Sequence, residues 1–469
     1  MKEKSITFWE LVLMNVSALY GIRWIAKSTS DSFGLGLGAI PMWIIFMLIF
    51  FVPQALMCAE LATAYPTDGG LNDWVKIAFG TKYGFLVSWM HWTALIFWYA
   101  SFLTFFSINF TYMIGKPELA DNKILVIMSL VVFWALSFAS MRGMKFGKYF
   151  TSVGALGSVV PTVCLIGMAI LAVVVFKKAP SASEYTIATL TPKLNMNSLV
   201  AISGITFAYT GAEFTANFAS EMKNPQKDYP RAIMIAAGTI CVLYVIGSVC
   251  MTMLMPTSEI FAYTGTLDAL VIACNLLEVP QFFVQIVAFG ITLSIFGAVV
   301  LYIAQPTKML FGYSEPGIFP EKITKKNEHD IPEKAILFQA ILVSLLLAGV
   351  AVFPAVETIY NVLITMTALT SLFPYVLLFA AYIKIKRKKV DKPGLYQMTK
   401  NKKWGCFLGY MELVICVIAI VCSALPVMTT FKENVVYEVE MIGGGLLVIV
   451  SGLWLWKRSG LKNKTFEIE

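Results

Sequence analysis

Stretches of about twenty residues without Asp, Glu, Lys or Arg recur along the chain, and nothing else in the sequence limits its fold so strongly. They fall at about 34–59, 83–114, 124–141, 149–176, 194–212, 232–254, 281–305, 335–353, 358–383, 413–430 and 441–456. A helix needs about 20 apolar residues to cross the hydrocarbon layer of a membrane. A twelfth segment, at about 7–30, has the same character but is interrupted by Arg23 and Lys27. One such run fits a buried helix of a large soluble protein; twelve in one chain do not. Only 14% of the residues are charged and 58% are hydrophobic, whereas soluble domains carry about a quarter charged residues. The expectation is an all-α membrane protein with 12 transmembrane helices.

Several classes drop out at this point. A water-soluble enzyme does not fit the composition. The net charge of +8 does not indicate nucleic-acid binding, because the basic residues sit in short turns between apolar runs. Eight cysteines lie scattered through the apolar runs with no CxxC and no metal-ligand spacing, so neither a disulfide framework, a metal site nor a cofactor is expected. Gly34-x-Gly36-x-Gly38 follows no strand and lacks the Lys-Ser/Thr of a phosphate loop. No cleavable signal peptide is expected ahead of the first span, where only a short head carries Lys2 and Lys4.

Direction follows from the loops, because Lys and Arg accumulate on the cytoplasmic side. With twelve spans and a cytoplasmic N-terminus, 28 of the 36 basic residues fall in inner segments, 6 in outer segments, and Arg23 and Lys27 in the first span. Both termini are then cytoplasmic, in a cell (plasma) membrane. The longest inner loops, about 306–333 and 384–404, are too short for a separate domain. Residues 1–469 therefore read as a single transmembrane domain.

The first and sixth spans are the informative ones. The first holds Gly21, then Arg23 and Lys27; the sixth holds Gly204, then Tyr209-Thr210-Gly211-Ala212-Glu213. Glycine lowers the cost of leaving helical geometry, and irregular backbone at membrane depth is tolerated only against protein or a wet cavity. Interruptions at matching places in two halves indicate inverted repeats with a binding site at the midplane. A half-helix that starts there offers N–H groups, which suit a carboxylate, and one that ends there offers C=O groups, which suit an ammonium. A zwitterionic amino acid matches both. Glycines in membrane helices also serve close packing, and for Gly204 or Gly21 taken singly that alternative stands.

Three blocks then carry a family resemblance: FAYTGAEFTANFASEMKNPQKDYPRAI at 207–233, FVPQALMCAELATAYPTDGGLNDWV at 51–75, and IAQPTKMLFGYSEPGIFP at 303–320. In order and spacing the chain resembles the amino acid–polyamine–organocation transporters, most of all their glutamate/γ-aminobutyrate antiporter branch. The resemblance implies a LeuT-like fold: 5+5 inverted repeats at about 7–176 and 196–383, with two C-terminal helices at about 405–457. The chain departs from many members in having Leu19-Tyr20-Gly21-Ile22-Arg23-Trp24 where they carry a Gly-rich run, a feature that the glutamate/γ-aminobutyrate branch shares. The fifth span, Tyr149–Phe176, has no Lys, and so lacks the lysine that some relatives use in place of sodium.

Taken with the resemblance, the candidate substrate-binding residues are Tyr20, Gly21, Ile22, Arg23 and Trp24 in the first span and Phe207, Ala208, Tyr209 and Gly211 in the sixth. Phe207 falls where relatives carry an aromatic gate. Glu213 falls where they carry an acid linked to gating or proton sensing; a carboxyl at this depth is costly and functional by default, although a structural acid bonded to freed N–H groups is the alternative. Arg23 either clamps a substrate carboxylate or pairs with an internal acid. His91, early in the third span, is either a proton carrier or a packing histidine. Lys27 and Asp31 share a helix face and suggest a vestibule ion pair. Glu60 is expected to hold the cytoplasmic loop through N–H groups near Gly69 and Gly70, Glu412 to pair at the periphery, and His329 to be solvated.

The resulting expectation is a secondary-active amino acid antiporter and not an enzyme. It exchanges an external, possibly acidic, amino acid for a cytoplasmic amino acid or amine by alternating access. A proton-coupled permease and a non-transporting amino acid receptor are the rivals. The partners are the substrate, its counter-substrate and the lipid bilayer, without nucleic acid, in a monomer or homodimer.

Overall fold

The computed structural model describes residues 7–466, other than 33, 66–69, 143–144, 194, 214–221, 223, 313, 351–355, 389–395 and 429. Its elements are helices, here numbered α1 Phe8–Leu19, α2 Arg23–Thr29, α3 Gly36–Ala64, α4 Leu71–Phe79, α5 Thr81–Met113, α6 Asn122–Ser140 and α7 Lys145–Ala169, which runs on to Val175 in a widened π-type turn. There follow α8 Met196–Ala208, α9 Pro225–Leu254, α10 Gly265–Leu277, α11 Phe282–Gly312, α12 Glu333–Val350, α13 Val356–Lys388, α14 Lys402–Ser423 and α15 Phe431–Ser459.

Among the described residues nine helices are long and apolar enough to cross a membrane: α3, α5, α6, α7, α9, α11, α13, α14 and α15. The other three expected spans differ for identifiable reasons. The first is split into α1 and α2. Only the first half of the sixth, α8, is a described helix, ending at Ala208. The ninth is α12, 18 residues long. Two helices were not foreseen, α4 and α10, both in loops between spans; α10 packs on α7, α9, α11 and α2.

The two short half-helices start from the same local device. Thr7 accepts from the Glu10 N–H while Glu10 Oε2 accepts from the Thr7 N–H at 2.8 Å. Asn195 and Ser198 do the same ahead of α8. Such reciprocal caps satisfy two N–H groups that a helix start otherwise leaves open. Tertiary packing then holds the halves: α1 lies on α9 and α7, and α8 on α14 and α13. Close approach of α14 to α13 depends on small residues. A Cβ at Gly409 would lie 2.7 Å from Ile383 and one at Gly405 2.8 Å from Lys386.

Candidate functional site at two helix interruptions

α1 stops at Leu19 and Tyr20 is extended, with φ −82° and ψ 125°. The chain resumes helical geometry at Arg23, where the Trp24 and Ile25 N–H groups close onto the Gly21 and Ile22 carbonyls at 3.0 and 3.1 Å. The Gly21 N–H donates to the Tyr244 hydroxyl on α9 at 3.2 Å. The Tyr20 hydroxyl meets Thr162 Oγ1 on α7 at 2.6 Å. Thus the N–H of Gly21 has a protein partner, and the side chain of Tyr20 anchors the break to a neighbouring helix.

α8 stops at Ala208, and Gly211 turns the chain with φ +113°, a region that L residues rarely enter. Thr210 donates to the Phe207 carbonyl through both its N–H (2.9 Å) and its hydroxyl (2.7 Å). A carbonyl has two lone pairs, so Phe207 has none left for an ammonium. The Gly211 N–H donates to the Tyr375 hydroxyl at 2.6 Å, and that hydroxyl donates to Glu213 Oε2 at 2.6 Å. Glu213 is 6% exposed. Tyr375 follows Pro374 in α13, so α13 holds the second interruption through both Gly211 and Glu213.

A continuous aromatic cluster joins the two breaks. Tyr244 stacks on Trp43 of α3 at 4.0 Å, Trp43 meets Tyr209 edge-on at 5.4 Å, and the Tyr209 hydroxyl donates to the Trp43 carbonyl at 2.8 Å. Trp24 meets Phe207 edge-on at 5.6 Å. Gly204 is not a point of interruption. It lies within α8, and its hydrogen faces the Trp24 ring, 3.4 Å from where a Cβ would stand, so it serves close packing. Gly21, Phe207 and Thr210 stay half-buried although most of their neighbours are buried.

All seven residues of α2 are buried, Arg23 and Lys27 included. The Arg23 guanidinium lies 4.8 Å from the Phe102 ring centre and 5.4 Å from that of Trp24, and donates to Ser101 Oγ at 3.3 Å. No carboxylate among the described residues forms an ion pair with it. Phe102 stacks on Trp98 at 4.3 Å, and Trp98 packs on Tyr302 of α11 at 4.9 Å; these three rings are half-buried. Lys27 Nζ donates to Asn361 Oδ1 on α13 at 2.7 Å. Lys27 is thus an interior residue, whereas Asp31 is exposed.

The structure brings Tyr20, Gly21, Ile22, Arg23 and Trp24 together with Phe207, Ala208, Tyr209, Gly211 and Glu213, but not His91. His91 precedes Ser101 by ten residues of the same helix, a rise of about 15 Å. Glu60 does not hold the loop at Gly70, and Gly69 lies outside the described residues. Glu60 instead pairs with Lys386 at 2.6 Å and accepts from the Tyr382 hydroxyl and the Met398 N–H. Glu412 is not peripheral but fully buried. His329 is exposed, as expected; beside it, Lys308 and Lys326 hold the Asp330 carboxyl below its usual range through hydrogen bonds. No group of three His, Cys, Asp or Glu among the described residues is arranged to hold a metal. Tyr244, Tyr375, Trp43, Ser101 and Asn361 escaped the sequence reading, because a tyrosine or a serine in an apolar run carries no local signal of what it will cap.

The amino acid permease family matches residues 6–461. An uncharacterized transporter of Legionella pneumophila is 29% identical over 459 residues, 97% of each chain. A probable agmatine/putrescine antiporter of Lactococcus lactis subsp. lactis is 24% identical over 442 residues, 93% of this chain and 92% of its own. A glutamate/gamma-aminobutyrate antiporter of the same organism is 24% identical over 403 residues, 84% and 79% of the two chains. Family and relatives are transporters rather than enzymes. With its run of membrane-length helices and a match over nearly its whole length, the chain belongs to the amino acid permease family of multi-pass membrane transporters.

Proposed function

We propose that the protein is an amino acid antiporter of the plasma membrane, selective for an acidic amino acid, that works by alternating access. The observation that carries this reading is Arg23: a buried guanidinium beside a helix interruption, faced by aromatic rings and by the hydroxyls of Ser101 and, on α13, Tyr360, without a carboxylate partner among the described residues. A buried charge needs a counter-charge, and a guanidinium matches a carboxylate through two parallel hydrogen bonds. The substrate's ammonium goes to the Ala208 and Tyr209 carbonyls, and Trp24 and Phe207 cover it. Tyr20, Gly21 and Ile22 shape the floor, and Gly211 and Glu213 the gate that Tyr375 closes.

In this reading α1 with α2, the sixth span that α8 opens, and α12 raise the nine membrane-length helices to twelve. Repeats at about 7–176 and 196–383 and a pair at 405–457 follow, with both termini cytoplasmic by the distribution of Lys and Arg. The relatives named for glutamate and γ-aminobutyrate, and for agmatine and putrescine, differ in the charge of their substrates. Arg23 and Lys27, both buried in α2, favour the acidic side, since like charges at such separations repel strongly away from water.

Protein reconstituted into liposomes tests the reading. Labelled glutamate entering only vesicles preloaded with glutamate or γ-aminobutyrate supports exchange. Uptake into empty vesicles under a pH gradient selects a proton-coupled permease, the second reading, which the buried Glu213 favours. Binding with no flux in either assay overturns transport.

A further inference from the structure

Among the described residues three carboxyl side chains are more than nine-tenths buried: Glu60, Glu213 and Glu412. Two have partners. Glu60 meets an ammonium, a hydroxyl and an N–H, and Glu213 meets Tyr375. Glu412 has none: both oxygens are buried without a hydrogen bond, and its residue is 0% exposed. It stands ten residues into α14 from Lys402, about 15 Å along the helix axis and so near the middle of a hydrocarbon layer about 30 Å thick.

The register between α14 and α13 fixes what it faces. Gly405 lies against Lys386, Gly409 against Ile383 and Tyr382, and the Cys416 thiol against the Leu372 carbonyl. Glu412 therefore lies opposite the turn of α13 that holds Tyr375 and Phe379, level with the Glu213–Tyr375 bond. Cys58 of α3 is within electrostatic reach of both Glu213 and Glu412. The other ionisable groups around it are accounted for. On α3 and α13, Glu60, Tyr382 and Lys386 bind one another further toward the cytoplasm. On α14 itself Cys416 is bonded to Leu372, Tyr410 receives Arg387, and Cys406 lies nearly two turns away. α8 and the Met47–Phe51 stretch of α3 present no ionisable side chain. Among the described residues no cation forms an ion pair or a hydrogen bond with Glu412.

An isolated carboxylate in such surroundings costs far more than folding can supply. From this geometry we propose that Glu412 is a proton-binding site of the transport cycle, loaded in the arrangement seen here and exchanging its proton with water only when α14 parts from α3 and α13. The step is a simple dissociation: the O–H bond of the acid breaks, the proton passes to water, and the anion left behind holds the helices apart until a proton returns. The inference deepens the transport reading by adding a proton to its cycle, and its closing measurement does not depend on that reading. The closed arrangement is populated at low pH and lost as pH rises.

Glu412→Gln mimics the loaded form with almost no change of shape. In liposomes, wild-type counterflow of labelled glutamate falls as pH rises, by up to about tenfold per unit where one proton is released, and E412Q keeps its acid-side rate at alkaline pH. E412Q profiles that overlay the wild type, or a folded E412Q inactive at every pH, overturn the proposal. Infrared difference spectra of the purified protein at neutral pH need no substrate. A carboxylic-acid carbonyl stretch present in wild type and missing in E412Q supports the site even if no flux of any amino acid is found; spectra without that difference overturn it.

Discussion

The two interrupted helices are built alike up to the break and differ just after it. Each first half opens on a reciprocal cap, Thr7 with Glu10 and Asn195 with Ser198. Each break sends a glycine N–H to a tyrosine hydroxyl on another helix, Gly21 to Tyr244 and Gly211 to Tyr375. Two residues beyond each glycine stands an ionisable side chain, Arg23 in one case and Glu213 in the other. Here the likeness ends. Glu213 is bound to the same tyrosine that caps its own interruption, whereas Arg23 meets two rings and the hydroxyls of Ser101 and Tyr360, neither of which caps its own break. The bare peptide groups at the breaks are neutral dipoles, so the following side chains set the sign of the field. The second interruption ties its ionisable side chain to its own capping tyrosine, and in the function proposed above the first is completed by a substrate carboxylate.

The most severe test of that contrast removes the two charges separately. Arg23→Ala should weaken glutamate transport about 10- to 100-fold, the equivalent of roughly 1.5–3 kcal/mol for a hydrogen bond to a charged group. Alanine, which lacks the second carboxylate, should lose much less. Uptake of the two substrates by the same vesicles gives the ratio. Equal losses would mean that Arg23 holds the fold rather than the ligand. Glu213→Gln keeps the bond from Tyr375 and should leave the preference for glutamate over alanine unchanged.

The difference between these breaks was only partly legible in the sequence. Charge-free runs of membrane length located most helices, since nothing but burial in lipid or protein selects them. Gly21 and Gly211 marked the breaks because glycine lowers the cost of leaving helical geometry. Gly204 carried the same local signal and proved to be a packing contact with Trp24; only a neighbour in space distinguishes the cases. For Glu60 and Lys386, 326 residues apart in sequence, the partnership depends on how α3 meets α13, and no pattern in either segment encodes it. Glu412 looked peripheral because it sits in a helix outside the two expected repeats, yet that helix packs on α8 and α13. Tyrosines that cap freed N–H groups are invisible for the same reason.

The glycines themselves sharpen the comparison next. Gly211→Ala forces an L side chain to φ +113°, a strain of about 1–3 kcal/mol, and should lower the melting temperature in detergent and abolish most transport. Gly21→Ala should be milder. Its φ is not in the left-handed region, and the added Cβ meets only the edge of the Trp24 ring, 3.0 Å away, which can give by a few tenths of an ångström. If Gly21→Ala proved the more damaging in thermal melts, the first break would be the more rigid of the two.

The smallest expected effects come from the two capping hydroxyls. Tyr244→Phe and Tyr375→Phe each leave one glycine N–H without its acceptor, at a cost of about 1–3 kcal/mol if it stays buried and unpaired. They should not behave alike. Tyr244 holds only the Gly21 N–H through its hydroxyl, and its ring stays stacked on Trp43, so Tyr244→Phe should lower stability and leave the rate of exchange nearly as it was. Tyr375 accepts from Gly211 and donates to Glu213 at once, so its removal uncouples α13 from both sides of the second break. Tyr375→Phe should therefore change the rate of exchange as well as the melting temperature, with glutamate and alanine affected to the same degree because neither touches it. A Tyr375→Phe protein whose rate is intact, or one that loses glutamate selectively, would place the binding surface on the α13 side and break the division of labour between the two interruptions.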